Sequence, residues 1–379
     1  MILLETWKTQ YGLAPFDRIL DSDFSLAMDK ALKIALDGIL KIGESPETPT
    51  FENTIVAMEE AETKLEQVAS VFYTLSGCDS NTDRQKLQRE FAPKLSAYSS
   101  AVSSNKKLFK RIEKLWDSRK SLKISKEQER VLMLSHRGFV RAGAELKGKS
   151  ATRMTEINSR LATLGTIFSQ NLLADERDWF LKLAEADLVG LPEFVVAMAW
   201  AAGKEKGSDR PIVTLSRSLI VPFLQFSDCR DLREIAYKAW TARGANPGAT
   251  DNRGIAAETL ALRHEKATLL GFDCYADYKL VTEMAKTPKR VRELLMQVWS
   301  PAKDYAQRDE KILEKMMKKD DLKGPLEAWD WRYYAEKWRR LEHDLDETVL
   351  KPYLQLEQMI AAVFDCASRL FGLSFTEVS

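Results

Sequence analysis

Apolar residues recur through the first 170 positions with the spacing of one helix face. From Met58 to Leu75 they fall at alternating intervals of three and four residues, and the same spacing returns from Met154 to Phe168. Such intervals line one side of a helix that turns every 3.6 residues. The pattern predicts antiparallel helices joined by short loops, each with its apolar stripe packed on its neighbours.

Polar residues mark where several of these helices begin. Asp21 or Ser22 can cap the first long helix, and the sequence TFENT at 50–54 opens the next. Ser125 followed three residues later by Gln128 fits a capping box, in which each side chain bonds to the backbone of the other residue.

The period changes near residue 178. The sequences WFLKL at 179–183, IVTL at 212–215 and LIV at 219–221 each favour a strand. We therefore predict a small β excursion near residues 178–222 in an otherwise mainly α protein. Helical spacing resumes afterwards, and Pro301 is expected to kink or restart a helix that begins near Pro288. These changes divide the chain into predicted regions 1–175, 176–225 and 226–379.

Composition excludes several classes of partner. The chain of 379 residues carries 57 basic and 56 acidic residues, a formal net charge of +1. That balance gives no electrostatic reason to expect a nucleic acid or an anionic membrane as partner. The longest apolar run, at 194–202, is too short to span a bilayer, and the N-terminus does not read as a signal peptide. A cytoplasmic location is expected.

Thiolate chemistry is not predicted. The four cysteines are widely separated and form no C-x-x-C pair, so neither a disulfide framework nor a cysteine zinc site is expected; they are Cys78, Cys229, Cys274 and Cys366.

The most suggestive local sequence for metal chemistry is HEKAT at 264–268. A helical zinc site needs histidines at positions i and i+4 so that both imidazoles reach one metal. Here the second position is Thr268, whose hydroxyl is a poor zinc ligand, so His264 is better interpreted as a helix-surface residue. His136 has no cysteine or second histidine nearby, and His343 lies among carboxylates that are better interpreted as solvated helix-end charge.

No other catalytic pattern is present. The phosphate-binding motifs G-x-x-x-x-G-K-[ST] and G-x-G-x-x-G are absent, as is the G-x-S-x-G turn of serine hydrolases. The residues alone therefore predict no catalytic or metal site, and they leave the substrate-binding residues unknown.

Two blocks of sequence go beyond composition. The first runs from CRDLREIAYKAW at 229–240 to MAKTP at 284–288, and the second comprises WDW at 329–331, YAE at 334–336, DLDE at 344–347 and LKPY at 350–353. Both closely resemble the thimet oligopeptidase family of zinc metallopeptidases, peptidase family M3, and most of all its bacterial peptidyl-dipeptidases. Upstream, APFD at 14–17, TFENTI at 50–55 and FVRAGA at 139–144 also fit, so the resemblance covers nearly the whole chain.

The resemblance implies a helical, two-lobed enzyme whose deep channel admits unstructured oligopeptides. It also implies one Zn²⁺ held by the motif H-E-x-x-H and a later glutamate, with region 226–379 as the start of the catalytic domain. The motif H-E-x-x-H does not occur here. We therefore expect the N-terminal portion of such an enzyme, cut before its zinc helix and inactive alone, and no catalytic residue can be carried over.

Two hypotheses follow from the sequence. The first is a portion of a peptidyl-dipeptidase or oligopeptidase. The second is a non-catalytic helical module that binds peptides or protein, or one half of a split peptidase that pairs with a C-terminal catalytic half. Either case is expected to leave apolar surface between Leu354 and Phe375 without a partner. The aromatic residues from Trp329 to Tyr334 are expected to serve helix packing.

Overall fold

The predicted apolar stripes form helices in the computed structural model, which describes residues 1–322, 324–343 and 347–377. The predicted mainly α class is confirmed. The α-helices are, in chain order, α1 (Asp23–Glu44), α2 (Ala57–Cys78), α3 (Thr82–Ser103), α4 (Lys106–Ser118), α5 (Lys126–Ala142), α6 (Gly148–Asp178), α7 (Glu193–Glu205), α8 (Arg217–Phe226), α9 (Arg230–Thr241), α10 (Arg253–Leu269), α11 (Tyr275–Leu280), α12 (Pro288–Lys319), α13 (Ala328–His343), α14 (Glu347–Leu350) and α15 (Leu356–Phe371).

Two predicted helix starts are confirmed by reciprocal hydrogen bonds. Thr50 Oγ1 accepts from the Asn53 backbone N–H at 3.0 Å, and Asn53 Oδ1 accepts from the Thr50 N–H at 2.8 Å. Ser125 and Gln128 form the equivalent pair at 3.1 and 2.9 Å. These bonds satisfy backbone donors that a helix start leaves without partners.

The predicted cap of α1 is wrong. Ser22 precedes the helix without a side-chain cap bond, and the Asp21 carboxylate instead accepts from Asn81 and Arg84 at 2.7 Å each. Both oxygens of Asp21 thus face the start of α3 rather than the first turn of α1.

The β excursion is smaller than predicted. Strands β1 (Phe180–Lys182) and β2 (Ile212–Thr214) pair antiparallel, with Leu181 opposite Val213, which confirms two of the predicted strands. The third predicted strand, at 219–221, is wrong because this segment lies in α8. An apolar run of three residues does not distinguish a strand from a helix. The wider pattern does, because buried residues recur at helical spacing: Leu219, Ile220, Phe223, Leu224 and Phe226.

Contacts divide the chain into two compact units, each built from two segments. The first comprises Met1–Asp175 and Arg243–Met296, and the second comprises Glu176–Ala242 and Gln297–Ser379. The predicted regions are continuous in sequence, whereas segment 243–296 lies with the first unit. The assignment of 226–379 as the start of a catalytic domain stays a prediction.

The first unit has apolar cores between its helices. In one of them, on α1, α2 and α3, the ring of Phe72 meets those of Phe24 and Phe91 edge to face at 5.2 and 4.8 Å between centroids. A second core joins the end of α1 to α4 and α5. Beside it, buried Arg111 donates to the carbonyls of Ser45 and Glu47 at 3.0 and 2.8 Å, so its charge is held by hydrogen bonds rather than by an acid.

Helix α10 packs against α6 within the first unit. Ile157 and Leu164 of α6 contact Leu262 of α10 in a small apolar cluster. Beside it, Arg153 forms a bidentate ion pair with Glu265 at 2.6 and 2.9 Å. These contacts explain why a segment that follows the sheet in sequence belongs with the N-terminal helices.

In the second unit, the sheet packs with α7, α8 and α9 around one core that includes Phe223 and Ala236. Helix α13 packs on α8 and α9. Helix α12 continues through Pro301 rather than restarting there. Within the described part of the chain, no helix is both long enough and apolar enough to cross a membrane.

Candidate functional site

His264 lies on the exposed face of α10. Glu265 is engaged by Arg153, and the Thr268 hydroxyl donates to the His264 carbonyl at 3.1 Å. Each residue of the HEKAT sequence therefore has a helix-stabilising contact or faces solvent. The interpretation of His264 as a helix-surface residue is confirmed.

His136 is half-buried between two aromatic rings of α4. Its ring stacks on Trp116 at 5.1 Å and on Phe109 at 5.8 Å between centroids. Burial lowers the pKa of His136, although acidic residues in the vicinity act in the opposite direction. A neutral imidazole packed between rings is a core side chain here.

The remaining candidates are His343 and the cysteines. His343 is exposed at the end of α13, and its predicted neighbours Asp344 to Asp346 lie outside the described residues. The cysteines are all free thiols. Over residues 1–322, 324–343 and 347–377, no three His, Cys, Asp or Glu side chains come together as a metal would require.

A buried ion network surrounds Asp330 at the start of α13. Its carboxylate, 0% exposed, accepts from Arg230 at 2.6 Å and from Arg233 at 2.9 Å, and also from the Glu327 backbone N–H. Burial acts to raise the pKa of Asp330, but the two guanidinium groups outweigh it and lower the pKa. The network ties α13 to α9.

The aromatic residues beside Asp330 extend this network. The Tyr333 hydroxyl donates to Asp228 at 2.6 Å, and the Arg233 guanidinium lies 4.0 Å from the Tyr333 ring centroid. Tyr334 is 0% exposed and donates to Asp320 at 3.2 Å. Tyr333 and Tyr334 also pack with Leu313 and Met317 of α12, and Trp331 contacts the same apolar cluster, so the expected packing role of the aromatic residues is confirmed.

The first unit contains a concave site that the sequence does not predict. A cavity of about 500 Å³ lies among α3, α5, α6, α10 and α11, and we call it the basic pocket. Its polar lining consists of Ser96, Ser99, Ser100, Ser103, Arg137, Arg141, Asn158, Lys266, Tyr278 and Thr282. The serines recur at helical spacing along α3, which was the one signal in the sequence that they share a face.

Two cations of the basic pocket contact one aromatic ring. The Arg141 guanidinium carbon lies 4.2 Å from the Tyr278 ring centroid, and Lys266 Nζ lies 6.0 Å from it. Arg141 Nη2 donates to the Tyr278 carbonyl at 2.8 Å, and Lys266 Nζ donates to Asn158 at 2.7 Å. Burial, and then the charge of Arg141, lower the pKa of Lys266.

The other unusual surface is the apolar face of α15. None of its residues is buried. The predicted uncovered apolar surface between Leu354 and Phe375 is confirmed by its exposed members: Leu354, Leu356, Met359, Ile360, Val363, Phe364, Leu370, Phe371, Leu373 and Phe375. The N-terminal half of α12 is exposed in the same way, with Leu294, Leu295, Val298 and Trp299 open to solvent.

Comparison with known proteins agrees with the resemblance read from the sequence. The family described as Peptidase family M3 matches residues 223–379. The dipeptidyl carboxypeptidase of Escherichia coli is 33% identical over 96% of this chain and 54% of its own length. Oligopeptidase A of the same organism is 29% identical over 97% of this chain and 55% of its own length.

A eukaryotic relative shows the same partial coverage. Saccharolysin of Saccharomyces cerevisiae is 24% identical over 87% of this chain and 47% of its own length. The chain thus spans about half the length of the curated relatives it matches. The ordered match over nearly all 379 residues shows that the chain belongs to peptidase family M3.

Proposed function

We propose that these 379 residues supply the helical scaffold of a zinc-dependent peptidase that acts on short peptides and releases dipeptides from their C-termini. The observation that supports the proposal is that 96% of the chain aligns with about half of a dipeptidyl carboxypeptidase, at 33% identity. In the proposed enzyme the substrate class is oligopeptides, and the expected location stays cytoplasmic.

The residues present do not fit the zinc ion that the family uses. The three histidines are held in three different settings, two of them exposed on separate helices and one packed between rings. Nor does the described part of the chain bring three potential ligands together. We therefore derive no catalytic step from this chain, and we propose that zinc ligands and general base are supplied by residues outside it.

The role that we propose for this chain is to hold the helices that support the active site in fixed positions. A peptidase site needs its supporting helices held in one arrangement, because small displacements of catalytic groups are costly. The ion pairs of buried Asp330 with Arg230 and Arg233 would hold α13 against α9 in such an arrangement.

Metal analysis of the purified chain tests this proposal. After dialysis against zinc and then against zinc-free buffer, the chain is expected to retain far less than one Zn²⁺ per molecule. The matched control is His264→Ala, which is expected to retain as little as the wild type. One tightly bound zinc per chain, lost in the His264→Ala variant, would contradict the proposal.

The exposed faces of α12 and α15 favour a second candidate. A non-catalytic module, or one half of a split peptidase, would use these apolar faces to bind a polypeptide partner. We infer that the partner is a C-terminal half that carries the motif H-E-x-x-H. Light scattering is expected to show self-association of the isolated chain, and a complex with that half. A clean monomer with no affinity for it would count against this candidate.

A further inference from the structure

The basic pocket is unusual in its charge. Three cationic side chains line it, Arg137, Arg141 and Lys266, and no Asp or Glu is among its lining residues. Cations that are taken out of water are normally paired with acids or held by hydrogen bonds. The basic pocket thus brings three positive charges together, and none of its lining residues carries a negative charge to balance them.

Cations on α6 that lie outside the basic pocket are, in contrast, paired with acids. Arg153 and Arg160 of α6 form bidentate pairs with Glu265 and Glu258 of α10, with shortest distances of 2.6 Å. Lys266 follows Glu265 in the sequence, yet its Nζ donates to the neutral amide oxygen of Asn158 rather than to an acid. Acidic side chains of α10 therefore pair with arginines of α6 outside the pocket, but no acidic side chain of either helix lines the pocket.

Arg141 has hydrogen-bonding capacity left over. Its Nη2 donates to the Tyr278 carbonyl, and its Nη1 is shielded from solvent without a partner among the described residues. Arg137 stands one helical turn earlier on α5 and, in the part of the chain the structure describes, forms no ion pair. An unsatisfied buried donor is expected to find a partner such as an ion.

Hydroxyl groups complete the lining, which includes Ser96, Ser99, Ser100 and Ser103 of α3 and also Thr282. The hydroxyls of Ser103 and Thr282 donate to the carbonyls of Ser100 and Lys279 at 3.3 and 3.4 Å, which leaves Ser96, Ser99 and Ser100 as the hydroxyl donors for a ligand. Hydroxyl groups beside guanidinium and ammonium groups are the typical surroundings of an oxyanion in a protein.

We propose that the basic pocket binds a phosphate dianion, either free or as the terminal group of a small organic phosphate. A phosphate dianion offsets more of the three positive charges than a carboxylate does, and its additional oxygens can accept from several hydroxyl groups. The volume of about 500 Å³ lies in the range of small-molecule sites and leaves room for an organic group. This inference does not depend on the proposed peptidase role.

Equilibrium dialysis of the whole chain against inorganic phosphate, phenyl phosphate and acetate tests the proposal. At constant ionic strength we expect one saturable phosphate site per chain, with acetate binding at least tenfold more weakly. Arg137→Gln and Lys266→Met are each expected to weaken phosphate binding roughly tenfold or more. Tighter binding of phenyl phosphate would identify an organic phosphate as ligand, and equal or weaker binding would identify free phosphate.

Arg130→Gln is the matched control, because Arg130 is exposed on the same helix outside the pocket and loses the same charge. It should bind phosphate as the wild type does. Arg137→Gln decides the test if Lys266→Met fails to fold. The proposal is overturned if the wild type shows no saturable phosphate site, if acetate binds equally well, or if Arg137→Gln binds like Arg130→Gln. No peptide enters this assay, so its failure and failure of the peptidase proposal are distinguishable.

Discussion

Asp330 of α13 and Arg233 of α9 form an ion pair at 2.9 Å in which both side chains are almost completely shielded from solvent. They lie about a hundred residues apart in the sequence, and their contact joins two helices of the second unit. Arg230 completes the arrangement from the more exposed side. A buried charge that loses its partner is strongly destabilising, so this pair fixes the position of α13.

Replacement of Asp330 by Asn should destabilise the second unit by about 3 kcal/mol, because Arg233 would remain buried without a counter-charge. Urea unfolding followed by tryptophan fluorescence measures the change. Asp178→Asn is the matched control, since Asp178 pairs with Arg177 on the surface and its loss should cost less than about 0.5 kcal/mol. Equal effects of the two substitutions would show that the Asp330 pair does not hold the unit.

The same carboxyl group predicts a pH dependence. Because its pKa is lowered in the folded state, its stabilising contribution is present above the unfolded pKa of about 3.9 and is lost as the pH falls toward the folded value. Unfolding free energies measured from neutral pH down through this range should therefore fall more steeply for the wild type than for Asp330→Asn. Parallel profiles would mean that Asp330 does not have a lowered pKa.

Gly203 of α7 lies against a backbone carbonyl. A Cβ placed on it would lie 2.4 Å from the Arg210 carbonyl oxygen, where the chain leads into β2. Gly203→Ala should cost roughly 1–3 kcal/mol through this overlap. Gly165→Ala, in α6 with open space around it, should instead stabilise by about 0.5–1 kcal/mol. Thermal or urea unfolding of the two variants compares them, and a gain at Gly203 would contradict the packing described here.

The exposed face of α15 should control self-association. Ile360→Glu places a charge on the apolar face and should shift the chain toward monomer in light scattering, with little change in unfolding free energy because Ile360 is exposed. Gln358→Glu adds the same charge on the opposite side of the helix and should leave association unchanged. If both variants associate like the wild type, the α15 face is not the contact surface.

The sequence predicts the helices well because apolar stripes and capping boxes depend on residues that are close together in the chain. The capping boxes at Thr50 and Ser125 are examples. The three apolar residues at 219–221 fit a strand as well as a helix, and only the burial pattern along the rest of α8 distinguishes the two elements.

The sites were harder to predict because they join distant residues. Arg141 and Lys266 look like ordinary surface cations until α5 and α10 bring them to one ring, that of Tyr278. Asp330 looks like one charge in an aromatic stretch until α9 supplies two arginines. The family, in contrast, could be recognised from the sequence because its ordered motifs run along nearly the whole chain.

The most direct test of the proposed function is an assay for dipeptide release by the purified chain alone. The chain is incubated with saturating Zn²⁺ and an oligopeptide of known sequence, and mass spectrometry detects any dipeptide released from the C-terminus. We predict no release above the buffer control, since the chain contains no H-E-x-x-H and its described residues form no metal site. Zinc-dependent release of C-terminal dipeptides that co-elutes with the chain and is abolished by a chelator would contradict this account.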